Sequence, residues 1–344
     1  MTKQCSFESR CGRMLLRTVA AWAAIAVAAP VATAQDVPPE IKKLLIEQGW
    51  GYGGSDGARK AYEELLARMP RDGVKVTKDL SYGKHERQKL DVYRPAGSDL
   101  PIMVFFHGGG YVGGARDNTP YVHANVLTYF ARHGFLGINA DFRLAPEFTW
   151  PSGGQDVAAV VKWLKENARA HGGDPDRIYL FGTSAGATHV AQYAFDRRFQ
   201  PSNGPGIAGA ILQSGRYVVH SDPDDPSLQG GVEAYFGKDP ARYPSRSVVN
   251  HVHGSKVPVM LLLTEFDQLN LAATTGELFV ALCKRDGGRC PRFVQLKYHN
   301  HGTEYHHFNT GDDYLGREIL EWISSGFGET RRFVPEAETF SRRP

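Results

Sequence analysis

From about Val74 onward the chain alternates short apolar runs with stretches of helical spacing, and no other feature limits its fold as strongly. Eight runs read as strands: Val74 to Leu80, Leu90 to Tyr93, Ile102 to Phe106, Gly137 to Ala140, Ile178 to Phe181, Ile207 to Leu212, Val257 to Leu263 and Phe293 to Tyr298. Strands interleaved with helices imply an α/β fold built on a mostly parallel eight-stranded sheet, with helices on both faces. The stretch between the fourth and fifth strands carries its own helix signature. There Pro151-Ser152-Gly153-Gly154 precedes Gln155-Asp156, and Val157, Val160, Val161 and Leu164 recur on one helical face. Two more helical stretches precede the sheet, about Glu40 to Gln48 and about Gly57 to Met69, separated by the turn Gly51 to Gly54. Between Ser214 and Lys256 the pattern breaks into Pro, Asp, Gly, Ser and aromatic residues without a clear long element, which reads as part of a small lid.

Within this frame, Gly182-Thr183-Ser184-Ala185-Gly186 directly follows a strand and directly precedes an Ala-rich helical stretch. A turn that sharp admits only small residues beside the serine, and it lifts the Ser184 hydroxyl above the sheet at a helix N-terminus. Ser184 is therefore the candidate nucleophile. The run His107-Gly108-Gly109-Gly110 follows the third strand, and its glycines allow backbone N–H groups to turn toward a ligand. The N–H groups of Gly109, Gly110 and Ala185 are the expected oxyanion hole.

A nucleophilic serine needs a base, and the base needs an orienting carboxylate, in the chain order Ser, acid, His. Thr264-Glu265-Phe266-Asp267 follows the seventh strand, so Asp267 is the expected acid with Glu265 in reserve. His299-Asn300-His301 follows the eighth strand. His301 is the expected base, His299 is the alternative, and His306 and His307 are expected at the surface or in support. Clustered histidines also raise a metal site, but no H-E-x-x-H or paired-cysteine spacing supports one, and no metal or organic cofactor is expected.

Taken together, His107 to Gly110, the segment Asp141-Phe142-Arg143-Leu144-Ala145-Pro146-Glu147, Gly182 to Gly186 and Asp267 resemble the bacterial hormone-sensitive-lipase-like carboxylesterases over about Tyr82 to Trp322. The resemblance implies the α/β-hydrolase fold, catalytic Ser184, Asp267 and His301, and hydrolysis of a carboxylic ester through an acyl-enzyme. Three positions depart from the family pattern. Thr183 stands where many members carry Asp, Gln268 where Pro often follows the acid, and Gly-Thr-Glu follows His301 in place of the usual Gly-Phe. The His-Asn-His run is closer to broader esterase and arylformamidase-like hydrolases, which keeps amide or formamide hydrolysis as the alternative reaction. A binding protein that lost catalysis on this fold is the more distant one.

Other residues receive weaker assignments. Arg143 reads as an ion-paired brace for the loop behind the oxyanion strand. Tyr111 and Tyr217 are expected to line the substrate pocket, with Trp50, Tyr52, Tyr235 and Phe236 as further aromatic candidates near it.

Residues 1–34 read as a secretory signal: Lys3, Arg10, Arg13 and Arg17 precede an apolar run from Val19 to Val31 that ends in Ala32-Thr33-Ala34. An uncleaved anchor is the alternative, and Met14 could be the start. Cleavage after Ala34 would remove four basic residues and Glu8, taking the formal charge from +3 to 0 and leaving an exported chain, periplasmic or secreted, without stable membrane insertion. Nothing in a neutral chain without basic clusters suggests a nucleic-acid partner, so the expected partner is a small-molecule ester. Cys5 and Cys11 fall in the leader, leaving Cys283 and Cys290 as an expected disulfide across an Asp-Gly-Gly turn. The catalytic domain is placed at 35–330, with possible lid segments at 35–70 and 214–256. Residues 331–344, with Arg331-Arg332 and Arg342-Arg343, read as a solvated tail.

Overall fold

The computed structural model describes residues 36–49, 56–221 and 226–327. The expected leader, the C-terminal tail, the Gly51 to Gly54 turn, Trp50 and Tyr52 lie outside the described residues.

All eight expected strands are present: β1 Lys75–Ser81, β2 Lys89–Arg94, β3 Leu100–Phe106, β4 Leu136–Ala140, β5 Gly173–Thr183, β6 Gly209–Gln213, β7 Val259–Phe266 and β8 Arg292–Asn300. They form one sheet in the order β1-β2-β4-β3-β5-β6-β7-β8. The β1–β2 and β2–β4 pairs are antiparallel, and every other pair is parallel. Side-chain alternation along β3 shows how both faces are filled. Ile102, Val104 and Phe106 enter one buried apolar cluster, while Met103 and Phe105 enter the other.

Helices close each face. On the first lie α4 (Ser152–Asn167), α5 (Ala185–Phe195) and α8 (Leu269–Arg285), supplying Val157, Val190, Leu278 and Leu282. On the second lie α3 (Val122–Arg132) and α9 (Tyr314–Ser324), supplying Val126, Phe130, Ile319 and Trp322. The expected stripe on α4 is buried throughout: Val157, Val160, Val161 and Leu164 are at most 3% exposed. Ahead of the sheet, α1 (Pro39–Gln48) and α2 (Asp56–Leu66) share a small core of Ile41, Leu45, Ala58 and Tyr62, which packs against Tyr298 of β8.

One expectation fails. The stretch between Ser214 and Lys256 is not without a long element, because it contains α6 (Pro226–Phe236) and the single turn α7 (Tyr243–Arg246). Gly230 and Gly231 weaken the local helical signal in α6. Burial of Val232, Tyr235 and Phe236 against Tyr111 and Ala185 offsets that weakness.

Candidate active site

Loops leaving the carboxyl ends of β3, β5, β6, β7 and β8 converge on one cavity, as ligand sites do in parallel α/β sheets. Ser184 sits between the end of β5 and the start of α5 with φ 50° and ψ −120°, a left-handed conformation costly for any residue with a Cβ. Its N–H donates to the Gln213 carbonyl at the end of β6 (2.8 Å), which fixes the turn. The turn also packs against β3. A Cβ on Gly186 would lie 2.3 Å from the Phe106 carbonyl oxygen, so no larger residue fits without displacing backbone.

Across the cavity, His301 Nε2 lies 3.0 Å from Ser184 Oγ, and His301 Nδ1 lies 3.0 Å from Asp267 Oδ1. Asp267 is 1% exposed and accepts further hydrogen bonds from Ser214 Oγ, the Thr264 N–H and hydroxyl, and the Gln268 N–H. Burial opposes its charge. The His301 ring and these donors outweigh that effect, so its carboxyl titrates below the usual carboxylate range.

The alternatives for acid and base are engaged elsewhere. Glu265 accepts from the Tyr298 N–H at 2.6 Å, bracing β8. His299 is fully buried, with Nε2 3.2 Å from Asp312 Oδ2 and Nδ1 3.2 Å from Thr303 Oγ1. His306 and His307 are buried and not at the surface, and burial holds both below the ordinary histidine range, hence neutral.

On the third wall, Gly109 (φ 130°) and Gly110 (φ 59°) use the left-handed backbone that glycine allows. Among the described residues, the N–H groups of Gly109, Gly110 and Ala185 donate to no other atom, and all three residues line the cavity beside Ser184. The loop is anchored from beneath by His107 and Arg116. His107 Nε2 lies 3.1 Å from Asp141 Oδ1, and the Arg116 guanidinium meets Asp79, Asp91 and Asp141. Arg143 forms a forked pair with buried Asp156, through Nε and Nη2.

The cavity encloses about 420 Å³. Tyr111 is on its wall, but Tyr217 is not: it is fully buried in the main core, where its hydroxyl accepts from the Gly215 N–H at 3.2 Å. A large ring two residues beyond Gly215 gains more by filling the core than by facing a wet cavity. Tyr235 and Phe236 also stand behind the wall, Tyr235 stacked on Tyr111 at 4.9 Å.

A family profile described as the alpha/beta hydrolase fold matches residues 103–278, just over half of the chain and the part that carries the serine turn, the glycine loop and Asp267. The chain belongs to the α/β-hydrolase fold family. Among similar proteins, esterase LipQ of Mycobacterium tuberculosis is 25% identical over 295 residues, covering 80% of this chain and 68% of that protein. Carboxylesterase NlhH of the same organism is 31% identical over 177 residues, covering 48% of this chain and 53% of its own, so that match spans about half of each. A solved hyperthermophilic esterase from Pyrobaculum calidifontis superposes with a TM-score of 0.61 over 85% of this chain and 98% of its own, at 21% identity. The chain is thus a carboxylesterase-like α/β hydrolase.

Several wall residues of this α/β hydrolase carried no sequence signal. Arg59 comes from α2, His123 from α3, Gly231 and Val232 from α6, and Leu271 from α8. Arg216 and Glu304 lie only two and three residues beyond Ser214 and His301, so nearness to strand ends was the cue that could have found them. His123 is held neutral, pushed down to about 4 by burial and by His107.

Proposed function

We propose that this α/β hydrolase cleaves small carboxylic esters through an acyl-enzyme, with Ser184 as nucleophile, His301 as general base and acid, and Asp267 as the carboxylate that orients it. The observation carrying this reading is the hydrogen-bonded line from Ser184 Oγ to His301 to buried Asp267, 3.0 Å at each step, with Ser184 and His301 on the cavity wall. As Ser184 Oγ attacks the ester carbonyl, its proton passes to His301 Nε2 while Asp267 holds Nδ1–H and supports the imidazolium. The N–H groups of Gly109, Gly110 and Ala185 receive the oxyanion. His301 then gives its proton to the departing alcohol. Water, deprotonated by the same ring, releases the acid and restores Ser184.

A cavity of about 420 Å³ stands near the small end of ligand sites, which favours short acyl groups or compact aromatic esters over long-chain lipids. Both lid segments support a confined site, since α2 contributes Arg59 and α6 contributes Gly231 and Val232 to its wall. Rates on p-nitrophenyl esters of increasing acyl length test this. Turnover should fall steeply beyond short chains and vanish in Ser184→Ala, and a preference for long chains would overturn the size argument.

Export is the second half of the proposal, supported by the leader pattern of residues 1–34 and by the bonded Cys283–Cys290 pair. Intact mass of protein recovered outside the cytoplasm should correspond to a chain beginning at Gln35, and should rise by two hydrogens on reduction. Recovery of the full-length chain in the cytoplasm with all four cysteines as free thiols would refute it.

A further inference from the structure

Glu304 is a carboxyl that the triad does not use, and it lies in the triad's midst. It stands three residues beyond His301 in the turn that follows β8, is 1% exposed, and reaches the cavity wall. Its Oε2 lies 3.9 Å from His301 Nδ1, the same nitrogen that Asp267 holds. Among the described residues that oxygen has no hydrogen-bond partner, a costly state for a buried acceptor. The backbone is fixed, because the Glu304 carbonyl accepts from Gln213 Nε2 at 2.8 Å, tying it to the strand end that also anchors Ser184.

From this geometry we infer that Glu304 is a positioning residue of the catalytic machinery, a fourth side chain that acts on His301 from its Nδ1 side and sets how readily the ring gives up its proton. The inference rests on the serine-esterase reading above. The groups facing Glu304 are His301 on its own turn, Asp267 after β7, and Ser214 and Tyr217 after β6, while Arg216 shares the cavity wall. Burial pushes the Glu304 carboxyl up to about 8, against the lowering effect of His301, so it ionises over the range in which His301, raised to about 9, gives up its proton. As it ionises, its charge favours the imidazolium form of His301. For His301 itself, burial disfavours that form, and Glu304 and then Asp267 outweigh it.

The sign of the effect is fixed. Attack by Ser184 requires a neutral His301, so the acid limb of kcat/KM follows that ring's titration in the free enzyme. In Glu304→Gln, isosteric and uncharged, the limb should move to lower pH by about one unit, the size expected for losing an opposite charge at this range. Plateau kcat should change far less than in Ser184→Ala. If Glu304→Gln does not fold, Glu304→Asp, whose carboxyl is drawn back by one methylene, should move the limb in the same direction by less. An acid limb unmoved in a folded variant overturns the inference and leaves Glu304 a packing residue. Activity that persists in Ser184→Ala overturns the esterase reading and this inference with it.

Discussion

Ser184, His301 and Asp267 come from three turns far apart in sequence, yet each sits where a parallel strand ends. If these three act as a unit, Ser184→Ala and His301→Ala should each lower kcat on p-nitrophenyl acetate by roughly 10⁴-fold or more without unfolding the protein. Near-normal turnover in His301→Ala, with loss in His299→Ala, would reassign the base. Chain order and strand ends make such residues readable, because a backbone turn after a known strand places its side chain within a narrow region. Tyr217 shows where that reasoning stops. It too follows a strand end, but its side chain turns into the core, and no local pattern separates an aromatic that lines a pocket from one that supports it. Arg59 was unreadable for a related reason: its place on the wall depends on α2 meeting the strand-end loops, which sequence spacing cannot bring together.

Elements were legible in proportion to their periodicity. The eight strands and α4 repeat their apolar residues at the spacing their geometry demands, and each occurs within a few residues of its expected bounds. The helix α6 was hidden because its two glycines weaken the local helical pattern, and it is held by burial. Those glycines have a steric role as well. A Cβ on Gly231 would lie 2.6 Å from the Gly110 carbonyl oxygen, so α6 rests directly on the glycine loop that would hold the oxyanion. Replacing Gly231 by Ala should force that loop to shift and lower kcat/KM at least roughly tenfold, since loss of one oxyanion donor costs 10²- to 10³-fold. Thermal unfolding should change little, because the neighbouring core of Tyr111, Tyr235 and Phe236 stays filled. Unaltered kcat/KM in Gly231→Ala would show that α6 can retreat freely and that its contact does not set the loop.

Over the whole molecule, the buried titratable groups form a set with a definite response to acid. Burial holds His123 down to about 4, His189 to about 3, and His306 and His307 below their ordinary range, so the folded chain refuses protons that the unfolded chain accepts. For groups shifted downward, the stabilising contribution is complete above the unfolded value near 6.5 and is lost as pH falls toward the folded values. His123 alone would remove on the order of 3 kcal/mol by the time pH reaches 4, at about 1.4 kcal/mol per unit of separation. Raised carboxyls act in the opposite sense. Glu304, up to about 8, gains its proton more readily in the folded state, and Asp313 and Glu318 add smaller effects of the same sign. The histidines outweigh them between pH 6.5 and 4.5, because four groups are involved and two of them are displaced by more than two units. Below that window Asp141, Asp267 and Asp312, all held below the usual carboxylate range, begin to lose their charge and deepen the loss. The melting temperature should therefore fall steadily as pH is lowered from 6.5 to 4.5, and less steeply in His123→Gln. A melting temperature that holds level or rises over this interval, measured by calorimetry in buffers of matched ionic strength, would mean that these imidazoles take up protons in the folded state.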